Sequence, residues 1–98
     1  MRERELERIL KALANKRRLA IINLLNKEKE KSVGEISDVI KLSFRATSKH
    51  LAILMGVDIL EKEQRGPQFF YSLNKDTPSV TKSLLKILLI GSFARMVQ

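Results

Sequence analysis

The sequence contains no cysteine, no tryptophan, one histidine, two prolines and four glycines in 98 residues. The absence of cysteine excludes disulfides, thiolate metal sites, iron–sulfur clusters and cysteine nucleophiles. A single imidazole excludes any site that needs two from one chain. The glycines are scattered and form no phosphate-cradling loop, and no nucleophile–base pair can be assembled around His50. An enzyme is therefore not expected. Long apolar runs are missing too. The most apolar stretch, Leu84 to Val97, is interrupted by Lys86 and Arg95, and it falls short of the ~20 apolar residues of a membrane span. Residues Met1 to Arg8 alternate in charge and lack the apolar centre of a signal peptide. The expectation is a soluble, cytoplasmic chain without cofactor, metal or membrane partner.

Hydrophobic residues make up 44% and charged residues 31%, a globular balance that is too apolar for a disordered tail. The length suits one domain spanning residues 1–98, and so small a core favours a partner subunit. Net charge is +8, with pI near 10.1. That balance favours an anionic partner such as nucleic acid, although solvated lysines alone would give the same figure.

Leu6, Ile9, Leu10 and Leu13 recur at helical spacing, which predicts a first helix over about 2–14. Asn15 breaks the pattern and is placed to cap a second helix over 16–27. There Leu19, Ile22 and Leu25 form a stripe that Ile21 and Leu24 widen. The run Lys27 to Lys31 reads as a solvated polar connection. Ser32-Val33-Gly34-Glu35 has the form of a capping box. It opens a third helix to about Lys41, with Val33, Ile36, Val39 and Ile40 inward. Ser43 is a second cap, opening a fourth helix from Phe44 to Met55 that Gly56 would end. The period then changes to two. Ile59 to Arg65 and Gln68 to Leu73 flank Gly66-Pro67 and predict a hairpin. Thr77-Pro78 would start a last helix reaching about Met96. The fold class is mainly α with a small β-hairpin, in the order α-α-α-α-β-β-α.

Helices three and four are separated by only Lys41 to Ser43, so they must cross steeply as a helix-turn-helix. Thr47, Leu51 and Leu54 fall on one arc of the fourth helix and must face the core. The opposite arc carries Arg45, Ala46, Lys49 and Ala52, with Ser48 at its edge and no carboxylate from Phe44 to Met55. Long cationic donors beside small residues suit the major groove of duplex DNA. Ser43 and His50 flank this arc, and His50 suits either a phosphate contact or half-buried packing. Phe44 reads as packing on helix three. The hairpin forms a wing, with Lys62, Gln64 and Arg65 near its tip within reach of phosphates or the minor groove. Glu61 and Glu63 on the same strand oppose DNA on one face. Phe69, Phe70 and Tyr71 read as packing; the alternative is a stacking platform for single strands.

Three stretches resemble the ArsR/SmtB winged-helix repressors. Leu10-Lys11-Ala12-Leu13-Ala14-Asn15-Lys16-Arg17-Arg18-Leu19-Ala20-Ile21-Ile22 is similar to their opening signature. Leu42-Ser43 followed by Thr47-Ser48-Lys49-His50-Leu51-Ala52-Ile53-Leu54 resembles their recognition helix. Gln64-Arg65-Gly66 with Phe70-Tyr71-Ser72-Leu73 resembles their wing. The likeness covers about residues 6–74. It implies a winged helix-turn-helix and a homodimeric repressor that binds palindromic operators and releases them on a signal. Metal sensors of that family carry Cys-x-Cys where this chain has Ser32 and Gly34, and others use histidines on the last helix, which has none here. Metal and thiol regulation are therefore not expected. Phe44, Arg45 and Ala46 also depart from the family's usual polar residues, so no operator sequence carries over.

The last helix is apolar almost all round, which a small monomer cannot cover. The expected solution is a homodimer through Leu84, Leu85, Leu88, Leu89 and Phe93, joined by Leu6, Ile9, Leu10 and Leu13. A winged-helix module that docks another protein is the competing reading.

Overall fold

The computed structural model of the chain describes residues 2–89. Helix α1 spans Glu3–Leu13, α2 Lys16–Glu28, α3 Val33–Ile40, α4 Phe44–Gly56 and α5 Ser79–Leu89. Three strands, β1 (Glu30–Ser32), β2 (Leu60–Arg65) and β3 (Gln68–Leu73), form one antiparallel sheet in the order β1-β3-β2. The expected order of helices and hairpin holds, with one short strand added. The expected continuation of α5 to Met96, and Phe93 with it, lies outside the described residues.

The helix starts follow the cap chemistry of the sequence. Asn15 Oδ1 accepts the backbone N–H groups of Arg17 and Arg18 at 3.0 and 3.1 Å. At α3 both halves of the capping box form: Glu35 N–H donates to Ser32 Oγ at 3.2 Å, and Ser32 N–H donates to Glu35 Oε1 at 2.8 Å. Ser43 Oγ accepts the Ala46 N–H at 3.1 Å and opens α4. Side-chain caps of this kind each stabilise a helix by about 0.5–2 kcal/mol.

The core gathers one face of every helix and one face of the sheet. Ile21, Ile36, Leu51, Leu54 and Ile59 are fully buried, with Ile22, Leu25 and Leu60 nearly so. Full burial of each such side chain contributes roughly 1.5–3 kcal/mol. Thr47 lies at the centre of this core as expected, fully buried.

Five local expectations change. Residues 30–32 are a strand because β3 has a free edge on the side away from β2; Glu30, Lys31 and Ser32 pair with Ser72, Tyr71 and Phe70 there. Val39 is 56% exposed, one position off the buried stripe of Ile36 and Ile40. Phe44 is 64% exposed: it lies beside Val33 and Gly34 at the start of α3, but most of its ring stays in solvent and not in the core. Gly56 is the last residue of α4, and the left-handed residue after it is Asp58, at φ 60°. Thr77 is buried, but its hydroxyl makes no hydrogen bond, so it does not cap α5; the first helical bond runs from Lys82 N–H to Pro78 O at 2.9 Å.

The wing turn is two residues long, between the Arg65–Gln68 pair. Such a turn needs positive φ at a central residue, and Gly66 supplies it at 61°.

Candidate nucleic-acid interface

α3 and α4 are joined by Lys41, Leu42 and Ser43. Lys41 takes the left-handed conformation, at φ 56°, and its N–H bonds back to Ser37 O. That reversal swings α4 across α3, so burial of Thr47, Leu51 and Leu54 fixes which arc of α4 faces outward. Ser43, Arg45, Lys49 and Ala52 are exposed, and Ala46, Ser48 and His50 are half-buried at its margins. Neither Arg45 nor Lys49 forms an ion pair or a side-chain hydrogen bond among the described residues. The Ser43 oxygen accepts the cap bond, which leaves its hydroxyl proton free to donate.

The sheet sorts the charges of the wing by face. Strand alternation puts Lys62 and Gln64 on the side shared with the buried residues Leu60 and Tyr71, and puts Glu61, Glu63 and Arg65 on the other. Lys62 Nζ stands 4.6 Å from the centre of the Phe69 ring. Gln64 Nε2 donates to Gly66 O at 3.3 Å at the tip. Arg65 is differently placed. Its guanidinium forks onto Glu30, with Nη1–Oε1 at 2.6 Å and Nη2–Oε2 at 2.9 Å. Its Nε also donates to Glu63, and the group lies 4.8 Å from the Phe70 ring centre. These bonds raise the Arg65 pKa further and hold the Glu30 carboxyl below the usual glutamate range. Arg65 is thus held by two carboxylates on an exposed face, whereas Lys62 and Gln64 have no carboxylate partner among the described residues. Phe69 and Phe70 point to opposite faces and Tyr71 is buried, so the three do not form one stacking platform.

Two arginines of the opening signature tie separate helices together. Arg17 Nη1 donates to Ile40 O at the end of α3. Arg18 donates through Nε to Ala12 O at 2.6 Å and through Nη2 to Lys11 O at 3.1 Å, at the end of α1. Helix carbonyl ends carry partial negative charge and lack partners, so cations suit them. Arg18 Nη1 also lies 3.1 Å from His50 Nδ1 on α4. Burial first, then the charges of Arg18 and Arg17, pushes the His50 pKa down. The only sequence signal for these roles was a pair of arginines directly after a helix stop.

The residues expected at a dimer interface divide. Ile9, Leu13 and Leu85 are buried in the chain's own core, and Leu84, Leu88 and Leu89 pack partly against it. Leu6 and Leu10 are 36% and 46% exposed on α1, as are Val80 and Ile87, at 40% and 65%, on α5. Among the described residues no cluster of His, Asp or Glu could hold a metal, and no helix is long and apolar enough to cross a membrane.

Comparison with known proteins agrees with this architecture. Residues 15–62 match the family described as "Bacterial regulatory protein, arsR family". The transcriptional activator HlyU of Vibrio cholerae is 36% identical over 80 residues, 82% of this chain and 70% of the relative. The transcriptional repressor PagR of Bacillus anthracis is 34% identical over 80 residues, 82% of this chain and 77% of the relative. The structure of the transcriptional repressor BigR from Xylella fastidiosa superposes with a TM-score of 0.76 at 28% identity, covering 97% of this chain and 90% of that one. With its helix-turn-helix, its wing and these relatives, the chain belongs to the ArsR family of bacterial transcriptional regulators.

Proposed function

We propose that the protein is a homodimeric repressor that binds an inverted-repeat operator in duplex DNA and acts by occlusion. The observation that carries this reading is the outer arc of α4, where Arg45 and Lys49 stand exposed and unpaired in a helix without a carboxylate. Long donors reach guanine O6/N7 or phosphate, and Ala46 and Ala52 let the helix backbone approach the bases. Ser43, Ser48 and His50 border the arc and contact phosphate, while Lys62 and Gln64 extend the contact from the wing. Repression fits PagR and BigR, which are named repressors; HlyU is named an activator.

Two-fold symmetry would present two α4 helices about 34–36 Å apart, one turn of DNA. Neutralising six to ten phosphates would lower affinity about 10³–10⁵-fold between 50 and 200 mM salt. The test is a mobility shift on duplexes selected by this protein from a random pool. The double variant Arg45→Ala/Lys49→Ala should lose at least about tenfold in affinity, since one good base contact is worth about 1–3 kcal/mol. Parent-like binding by that variant would remove α4 as the recognition element.

The competing reading, a winged helix that docks another protein, predicts no duplex selection at all.

A further inference from the structure

Arg18 cannot give up its proton, so in the 3.1 Å contact its Nη1 donates and His50 Nδ1 accepts. The ring proton of a neutral imidazole must then sit on Nε2. Among the described residues, the buried side-chain polar atoms that lack a partner are the hydroxyls of Thr47, Thr77 and Thr81. His50 Nε2 is not among them and has no partner among the described residues, so it reaches solvent. The same guanidinium grips Lys11 O and Ala12 O, which ties the flank of α4 to the end of α1. A second cation would break this arrangement: protonated Nδ1 would point an N–H at the N–H of Arg18. Besides burial, the charges that hold the imidazole pKa down are those of Arg18 and Arg17, both from α2.

We infer that Arg18 is a positioning residue for DNA binding: it fixes His50 as the neutral Nε2–H tautomer, so that the ring serves as an uncharged phosphate donor at the edge of the recognition helix. This rests on the DNA-binding reading above and adds to it a second residue that touches no DNA itself. It also separates His50 from Lys49. Lys49 brings charge and releases a counterion on binding; His50 brings one oriented hydrogen bond and releases none.

The two ring nitrogens can be imitated separately. Asparagine places its oxygen near the position of Nδ1, and glutamine places its amide nitrogen near that of Nε2. His50→Asn should keep the Arg18 contact and lose the phosphate; His50→Gln should do the reverse. The first measurement needs no DNA. Nitrogen-15 shifts of the His50 ring at pH 7.5 should show a bare Nδ1 and a protonated Nε2. An imidazolium, or a proton on Nδ1, overturns the proposal.

The second measurement is duplex affinity against salt at pH 7.5. His50→Ala should bind about 5–150-fold more weakly, the range of two net hydrogen bonds, one from each protomer, with the salt slope of the parent. Lys49→Ala should flatten that slope by about 1.8, since each phosphate contact is worth about 0.9 and the dimer carries two copies. Unchanged affinity in His50→Ala, or a slope flattened as in Lys49→Ala, overturns the neutral-donor role.

Arg18→Met should weaken binding in the parent and add nothing in His50→Ala, because its influence on the DNA contact runs through the ring, while its bonds to Ala12 O and Lys11 O brace the end of α1. Additive losses, with both variants folded by circular dichroism, would mark Arg18 as a purely structural brace and overturn the positioning role. Failure of the underlying reading shows separately, as parent-like binding by Arg45→Ala/Lys49→Ala. In that case the ring spectrum still reports the tautomer, and the DNA part of the inference falls.

Discussion

His50 occupies the margin between core and groove, and its environment makes stability depend on pH. Its folded pKa lies below the ordinary histidine value of 6.5 because burial and two arginines disfavour the charged form. The unfolded chain therefore takes up a proton first as pH falls. The stability tied to the neutral ring is fully present above pH 6.5 and is lost as pH drops below it toward the folded value. Thermal melts at pH 7.5 and 5.5 should show a larger fall for the parent than for His50→Gln, which cannot titrate. Equal falls would mean that other groups govern this range. Glu35 acts lower on the scale. Bonds from Ser32 hold its carboxyl below the ordinary glutamate value of 4.5, so its contribution is present above that value and lost as pH falls through the lowered one. At this scale the sequence was readable where chemistry is local. The caps at Asn15, Ser32 and Ser43 need only neighbours three residues away, whereas the Arg18–His50 contact joins residues 32 positions apart and leaves no periodic trace.

The wing shows how an element redistributes charge that the sequence merely places nearby. Arg65 sits at the hairpin tip with Lys62 and Gln64, and from sequence all three were candidates for DNA. Pairing of β1 with β3 brings Glu30 across the sheet to Arg65. The polar run around Glu30 reads as a loop because three residues are too few to establish a period; the free edge of β3 makes it a strand. Replacing both carboxylates, Glu30→Gln/Glu63→Gln, should release Arg65 toward the duplex. Binding should tighten and the salt slope should steepen by about 1.8, the signature of one added phosphate contact from each of the two wings. An unchanged slope would place the wing tip away from DNA. α4 is the opposite case. Its inward triad Thr47, Leu51 and Leu54 was legible because helical period and burial agree, and that alone oriented Arg45 and Lys49 outward.

For the whole molecule, the proposed dimer has to be built from the apolar surface that the chain's own core leaves uncovered. The chain's own core claims Ile9, Leu13 and Leu85, and leaves Leu6 and Leu10 on α1 together with Val80 and Ile87 on α5. Scattered exposed leucines are ordinary, but two on successive turns of one helix form a stripe. Leu6→Glu/Leu10→Glu should halve the sedimentation mass at micromolar concentration and weaken operator binding, because one α4 cannot span two half-sites. A dimeric mass in that variant would remove α1 from the interface.

Composition, period and capping residues by themselves determined the succession of helices and hairpin, the inward arc of α4 and the basic character of its outer face. Each of these depends on residues within one or two turns, where spacing in the chain is spacing in space. The tertiary structure alone decided that Arg65 pairs with Glu30 and Glu63, that Arg18 holds His50 and the end of α1 together, and which leucines are consumed by the core. Those outcomes depend on partners brought together from distant parts of the chain, and no local pattern encodes which of several nearby charges or apolar faces will meet.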